Sequence, residues 1–178
     1  ISLEVAEEAF EEAVGCLKWT LVARFGGAKP PLRNFKRLVD SWGLLAPVKV
    51  SKLHRVSFCL VMDSEADFIH AWCKDPGSFG RWRFNLARWS MDAHRGKESP
   101  KAAVWVCLPG LPLPYQNGAM LKVIGDSLGG FLFADDHTRC GDDLSVARIC
   151  VEPDLSTPPP ENISLKVQNS SVWSQDVI

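Results

Sequence analysis

Basic side chains are the residues of this chain whose type and spacing point most directly to chemistry. Clustered lysines and arginines bind phosphate groups. Seven of them fall in or beside neighbouring predicted elements: Arg24, Lys49, Lys52, Arg55, Arg81, Arg83 and Arg88. These residues are candidates for a nucleic-acid-binding surface. The other interpretation is a solvated face whose charges form ion pairs within the fold.

The distribution of charge along the chain favours an anionic partner for its central part. Residues 18–101 carry sixteen Lys or Arg and seven Asp or Glu, although the whole chain has a net charge of −1. Residues 1–17 carry five Glu and no base, and residues 102–178 carry four bases and nine acids. A basic centre between acidic ends indicates either an anionic ligand or packing of acidic parts against basic parts, and both remain open.

No motif predicts catalysis, a metal or a cofactor. His137 and Cys140 lie near several aspartates, but their order does not match the spacing of a four-ligand zinc site. The scattered histidines and cysteines show no nucleophile signature. The two Gly-Gly pairs lack the further Gly and Lys of a phosphate loop. We therefore expect a protein that is not an enzyme and that needs no cofactor.

The six cysteines and the hydropathy predict the compartment. No two cysteines form a CxxC pair, and most of them lie within apolar patterns. Such cysteines are typical of reduced, largely buried thiols. No apolar run approaches the roughly 20 residues that a membrane span needs. We expect an intracellular protein of the nucleus or cytoplasm that is not bound to a membrane.

Six of the seven tryptophans divide into expected core residues and candidate stacking residues. Three fall on the apolar side of their elements and are expected in the core: Trp42, Trp72 and Trp82. Three others are candidates for stacking on nucleobases: Trp89, Trp105 and Trp173.

Hydrophobic periodicity predicts an α+β protein. Residues 1–17 form an acidic amphipathic helix, with Ser2 as its N-cap. Residues 18–101 follow the order β-α-β-β-α-β, which is the ferredoxin-like arrangement shared by RNA-recognition modules. In this unit Asp63-Ser64 caps the second helix, and residues 90–101 read as a linker. A β-α-β-β companion over 102–155 is expected to pack on it. A proline-rich spacer and a terminal hairpin around Asn169-Ser170 fill 156–178.

Several segments of this pattern resemble a known family. The most specific are Leu86-Ala87-Arg88-Trp89 and the run from Val104 through Leu113. They resemble a plant domain-of-unknown-function family found in first-open-reading-frame proteins of LINE-type retrotransposons. The resemblance implies an RNA-recognition-like domain in proteins that package element RNA. It also implies a CCHC zinc knuckle after the domain.

The usual base-stacking residues of RNA-recognition modules are missing from the predicted sheet. Such modules stack bases on aromatic side chains at two positions of the third strand and one of the first. Here those positions are Ser57, Cys59 and Leu21. We expect a sheet face that is covered by the second part or by the N-terminal helix, and that includes Leu21, Ala23, Cys59, Val61, Ala87 and Trp89.

Two functions follow from these observations. The first is binding of RNA or single-stranded nucleic acid, mainly electrostatic and weakly sequence-selective. The second is a protein-interaction or structural module that kept the fold without binding RNA. Its partner would be another protein or a further copy of this chain.

Overall fold

The computed structural model describes residues 2–74, 77–97, 99–167 and 172–178. The chain divides into two compact units, Ile1–Ser99 and Pro100–Ile178. Each unit contains an antiparallel sheet, so the predicted α+β class is confirmed. The predicted packing of the second part on the first stays a prediction.

Five strands form the sheet of the first unit. They are β1 (Thr20–Phe25), β2 (Lys49–His54), β3 (Ser57–Val61), β4 (Ser78–Phe79) and β5 (Trp82–Arg88). Their order across the sheet is β2-β3-β1-β5-β4. The first and third strands are neighbours, with Leu21 opposite Leu60 and Ala23 opposite Phe58. With the short β4 set aside, this is the ferredoxin-like order that the periodicity predicts.

Two helices cover one face of this sheet: α2 (Leu32–Asp40) follows β1, and α3 (Glu65–Trp72) follows β3. Phe35 of α2 stacks on Phe58, with 4.9 Å between ring centroids. Phe68 and Trp72 of α3 are buried as well. The α3 helix begins at the predicted cap, where the Ser64 side chain accepts a hydrogen bond from the backbone N–H of Asp67 at 3.2 Å.

Strand β1 lies with its faces reversed relative to the prediction. Leu21 and Ala23 were expected on the helix-free face, but both are fully buried opposite Leu60 and Phe58, on the helix side. Val22, between them, takes the other face opposite Cys59. Because Leu21, Val22 and Ala23 are all apolar, alternation in the sequence does not fix which face of this strand is buried.

Two predictions near the ends of the first unit were wrong. The helix α1 spans Glu7–Gly15 rather than beginning after Ser2, and Ala6 occupies its N-cap position. None of its residues is buried. The predicted linker contains a short helix, α4 (Met91–His94), which begins where Ser90 accepts a hydrogen bond from the N–H of Ala93.

The second unit repeats half of the first. It contains β6 (Val104–Pro109), α5 (Gly118–Ser127), β7 (Phe131–Ala134), α6 (Asp136–Cys140) and β8 (Val146–Val151). The strand order β6-β8-β7 corresponds to β1-β3-β2 of the first unit. Helix α5 packs so closely on β7 that a Cβ at Gly125 would lie 2.8 Å from the Phe131 side chain. Helix α6 is absent from the predicted β-α-β-β pattern.

The C-terminal segment occupies the edge of β6 that corresponds to the position of β5 beside β1. Strands β9 (Asn162–Leu165) and β10 (Trp173–Asp176) pair as antiparallel strands. Beyond them, Ile178 and Cys107 exchange two backbone hydrogen bonds of 2.7 and 3.1 Å. The buried Gln175 amide donates to the Pro109 carbonyl at 2.8 Å. The predicted turn around Asn169-Ser170 lies outside the described residues.

Candidate nucleic-acid interface

The sheet of the first unit has one face that points away from α2 and α3, which we call the outer face. Its residues are the alternate positions of the strands, and they form rows of directly opposed side chains. One row is Ser51, Cys59, Val22 and Ala87, and the next is His54, Ser57, Arg24 and Asn85. The base-stacking positions are therefore Ser57, Cys59 and Val22. The aromatic platform is missing as expected, although its first-strand position is Val22 and not Leu21.

Three cationic side chains lie on the outer face. Lys49 is on β2, Arg24 on β1 and Arg83 on β5, and all three are exposed. They extend over four adjacent strands, a width of about 15 Å at the usual strand spacing. The described strand residues of this sheet include no Asp or Glu. The outer face therefore has a positive character that no acidic side chain within its own strands offsets.

Lys49 also influences the thiol at the centre of the outer face. Burial raises the pKa of Cys59, and the positive charge of Lys49 lowers it in part. The raised pKa keeps this thiol protonated at neutral pH, so Cys59 is a small, weakly reactive apolar group. The Cys59 thiol is therefore uncharged, and Lys49 lies on β2 at the edge of the sheet.

The other four predicted residues lie elsewhere. Arg88 is on the helix side, where its guanidinium lies 4.7 Å from the Phe68 ring centroid and 5.0 Å from that of Trp72. Arg81 lies in the β4–β5 turn, 5.1 Å from the Trp82 ring. Lys52 and Arg55 are exposed at the end of β2 and in the turn after it. The structure thus brings three of the seven candidates onto one face.

One basic residue beside the β2–β3 turn, Lys29, was not among the predicted residues. The Lys29 ammonium donates hydrogen bonds to the carbonyls of Ser57, at 3.2 Å, and His54. It also lies 4.7 Å from the Phe58 ring centroid. Burial lowers the pKa of Lys29, and the charge of Lys52 lowers it further. Lys29 holds the β2–β3 turn, and its position in an aperiodic loop gave no signal of this role.

Helix α4 and the turn after it contact the outer face. The Arg24 guanidinium donates to the Gly96 carbonyl at 3.0 Å. On the next strand but one, the His54 Nε2 atom makes a hydrogen-bond contact with the His94 carbonyl, and the two imidazole rings lie 5.7 Å apart. Ala93 is buried. Part of the expected cover therefore comes from the segment that was predicted to be a linker.

The candidate stacking tryptophans fall in different environments. Trp89 follows β5 and is half-buried, and its backbone N–H donates to the Thr20 carbonyl at 2.8 Å. Trp173 is 43% exposed on β10. Trp105 is half-buried on β6. Of the predicted core tryptophans, Trp42 and Trp72 are buried, whereas Trp82 is only half-buried and stacks on Phe79.

The described residues contain no group of three or more His, Cys, Asp or Glu side chains that could hold a metal ion. The His137 imidazole lies 3.8 Å from the Asp142 carboxylate, and both are exposed. In the same described part of the chain, no helix is long and apolar enough to span a bilayer.

The chain has similarities to known structures and, over part of its length, to a family model. No curated protein matches it. Among solved structures, it is similar to the RNA recognition domains 1 and 2 of Sex-lethal from Drosophila melanogaster. That match has 12% sequence identity and a TM-score of 0.35, and covers 77% of this chain and 88% of the other. Residues 14–94, which lie in the first unit, match the model of a domain of unknown function, DUF4283.

Proposed function

We propose that the first unit is a non-enzymatic domain that binds single-stranded RNA, mainly through phosphate contacts on its outer face. One observation carries this proposal: Lys49, Arg24 and Arg83 are exposed on a single sheet face whose described strand residues include no acid. Cations gathered on one surface attract the phosphate backbone of any sequence.

The chemistry of the outer face supports weak sequence selectivity. Selective reading of single strands depends on stacking the bases on aromatic rings and on hydrogen bonds to the base edges. The stacking positions hold Ser57, Cys59 and Val22, two of which are nearly fully buried. Binding on this face therefore depends on charge rather than on base identity.

The biological setting is part of the same proposal. The resemblance of Leu86 to Trp89 and of Val104 to Leu113 to the LINE-type family supports a retroelement protein, or a host gene derived from one. The match of residues 14–94 to a domain of unknown function is compatible with this origin. Such a protein acts on RNA inside the cell, in the nucleus or the cytoplasm.

A protein-interaction module is the second candidate, and the N-terminal segment favours it. Leu3 is 84% exposed, Val5 63% and Phe10 48%. Exposed apolar side chains that lie along one short segment are typical of a surface that another protein covers. In that case α4 would stay packed on the outer face. Lys49, Arg24 and Arg83 would then be surface charges with no role in binding RNA.

A salt titration separates the two functions. We expect the full chain to bind a labelled RNA oligomer of arbitrary sequence, with log K falling linearly against log salt. Three phosphate contacts predict a slope of about two, since each contact on a single strand contributes about 0.7. A shuffled oligomer of the same composition should give the same curve. Failure to bind either oligomer at low salt would contradict RNA binding and favour the interaction module.

A further inference from the structure

The sheet of the second unit carries aromatic rings at the positions where the first unit has none. Trp105 on β6 and Phe133 on β7 are both directly opposite Cys150 on β8. The three side chains therefore form one row across all three strands, and the backbone positions of Trp105 and Phe133 lie about 10 Å apart at the usual strand spacing. This row is the equivalent of the outer-face rows in the first unit.

The row lies on the sheet face opposite α5. The strand neighbours Val106, Ala134 and Ile149 point into the core that α5 covers. Because side chains alternate along a strand, the row points the other way. Cys150 is fully buried in the middle of the row, whereas Trp105 and Phe133 are only half-buried. The two rings are thus partly accessible.

An arginine accompanies each ring. The Arg148 guanidinium lies 4.5 Å from the Trp105 ring centroid, and that of Arg139 lies 5.2 Å from the Phe133 ring centroid. Both arginines are exposed, and Arg139 also lies 3.4 Å from the Asp136 carboxylate at the surface. Guanidinium groups stack on the faces of planar rings, and they also bind phosphate.

The short helix α6 positions these groups. Asp135 caps it by accepting a hydrogen bond from the Thr138 N–H at 2.9 Å. The buried Thr138 hydroxyl in turn accepts a hydrogen bond from the Arg148 N–H at 2.9 Å. The second of these bonds ties α6 to β8. Arg139 thereby lies beside Phe133, while Arg148 lies over Trp105.

We propose that the Trp105–Cys150–Phe133 row, with Arg148 and Arg139, binds unpaired nucleobases by stacking. This inference rests on the proposed function and deepens it, because it adds a base-dependent site to phosphate binding by the first unit. The net charge of the second unit explains why it would stack bases while the first unit binds phosphates. Residues 102–178 carry an excess of acids, which disfavours purely electrostatic attachment there. Stacking on an aromatic ring needs no net positive charge, and every base has a flat face to offer.

The test compares an oligouridylate with an abasic oligomer of the same length and phosphate count. We expect the wild-type chain to bind the base-bearing oligomer at least about fivefold more tightly. The double variant W105L/F133L keeps apolar bulk but removes both aromatic faces. It should lose this preference and retain the wild-type affinity for the abasic oligomer. The matched control is W173L, which removes a more exposed tryptophan of the same unit and should retain the preference.

The outcomes distinguish this inference from the proposed function. Equal binding of both oligomers by the wild-type chain, or an unchanged preference in W105L/F133L, would overturn the stacking site and leave phosphate binding intact. If the wild-type chain shows no salt-dependent binding to either oligomer, that result would instead contradict the proposed function. If W105L/F133L does not fold, photocrosslinking of wild-type protein to an oligomer of a photoreactive uridine decides. Crosslinks at Trp105 or Phe133 support the site, and crosslinks confined to the first unit overturn it.

Discussion

At the residue scale, two arginines of strand β5 have opposite roles. Arg88 lies over the rings of Phe68 and Trp72 on the helix side, whereas Arg83 is exposed on the outer face. A cation over an aromatic ring stabilises the fold by about 0.5–2 kcal/mol, depending on exposure. A solvated arginine contributes little to stability but can still neutralise a phosphate. Sequence alone grouped the two residues together.

Substitution of each arginine by alanine should therefore separate stability from binding. We expect R88A to lower the free energy of unfolding by about 1–2 kcal/mol and to leave RNA affinity unchanged at temperatures where it is folded. R83A should change stability by less than about 0.5 kcal/mol but weaken RNA binding. Urea denaturation and the salt titration measure the two effects. A loss of RNA affinity in folded R88A would show that the helix side takes part in binding.

Two positions of the outer face differ in the space that is available for a larger side chain. Ser57 is 4% exposed, whereas Asn85 in the same cross-strand row is exposed. Overpacking a closely packed position typically costs about 1–3 kcal/mol. S57L should therefore destabilise the protein by that amount, and N85L should be tolerated. Urea denaturation of both variants is the check, and normal stability of S57L would show that this part of the face is open.

At the element scale, the short helix α4 limits access to the outer face. It begins at Ser90, whose hydroxyl accepts from the Ala93 N–H at 3.1 Å, and the turn after it takes a hydrogen bond from Arg24. Loss of an N-cap side chain costs about 1 kcal/mol. In a helix of only four residues, that amount is enough to favour its release from the sheet.

S90A should thus increase the exposure of Arg24 and strengthen RNA binding at a given salt concentration. Hydrogen exchange of residues 91–97 measures the release of α4, and the titration measures affinity. The cap residue Ser64 of α3 offers a control, since S64A loses a similar hydrogen bond on the other side of the sheet. Weaker RNA binding by S90A would mean that α4 is part of the binding surface rather than a cover.

The elements differ in how far the sequence predicts them, and the reason is physical. The β-α-β-β-α-β order follows from alternating periodicities, and the first and third strands pair as expected. The faces of β1 could not be assigned, because Leu21, Val22 and Ala23 are all apolar. Helices α4 and α6 are too short to show a 3.6-residue period, although Ser90 and Asp135 both act as caps. The pairing of Ile178 with Cys107 is a long-range contact that no local pattern encodes.

The candidate site shows the same limit. The type and approximate location of the basic residues are visible in the sequence, and so is the lack of aromatic residues at Ser57 and Cys59. The sharing of one face by Lys49, Arg24 and Arg83 depends on the strand register, which only the structure gives. The row formed by Trp105, Cys150 and Phe133 depends on it as well. The sequence singled out Trp105 but gave no reason to pair it with Phe133.

At the scale of the whole molecule, the chain contains one ferredoxin-like unit and one half-unit with contrasting chemistry. The first unit presents cations and small side chains on its sheet, and the second presents aromatic rings with arginines. The charge distribution agrees with this contrast, since the excess of bases lies in residues 18–101. The proposed RNA binding therefore depends first on phosphate contact in the first unit.

The most direct test of that claim removes the same number of charges from two faces of the first unit. The outer-face variant is R24Q/K49Q/R83Q, and the control is R33Q/K36Q/R37Q, in which three exposed cations of α2 are replaced on the opposite side of the sheet. Both variants should keep the wild-type fold by circular dichroism. The salt dependence of RNA binding is then measured for each. Loss of the outer-face cations should flatten the log–log slope by about two, and the control should retain the wild-type slope. Equal slopes for the two variants, or a larger loss in the control, would contradict phosphate binding on the outer face.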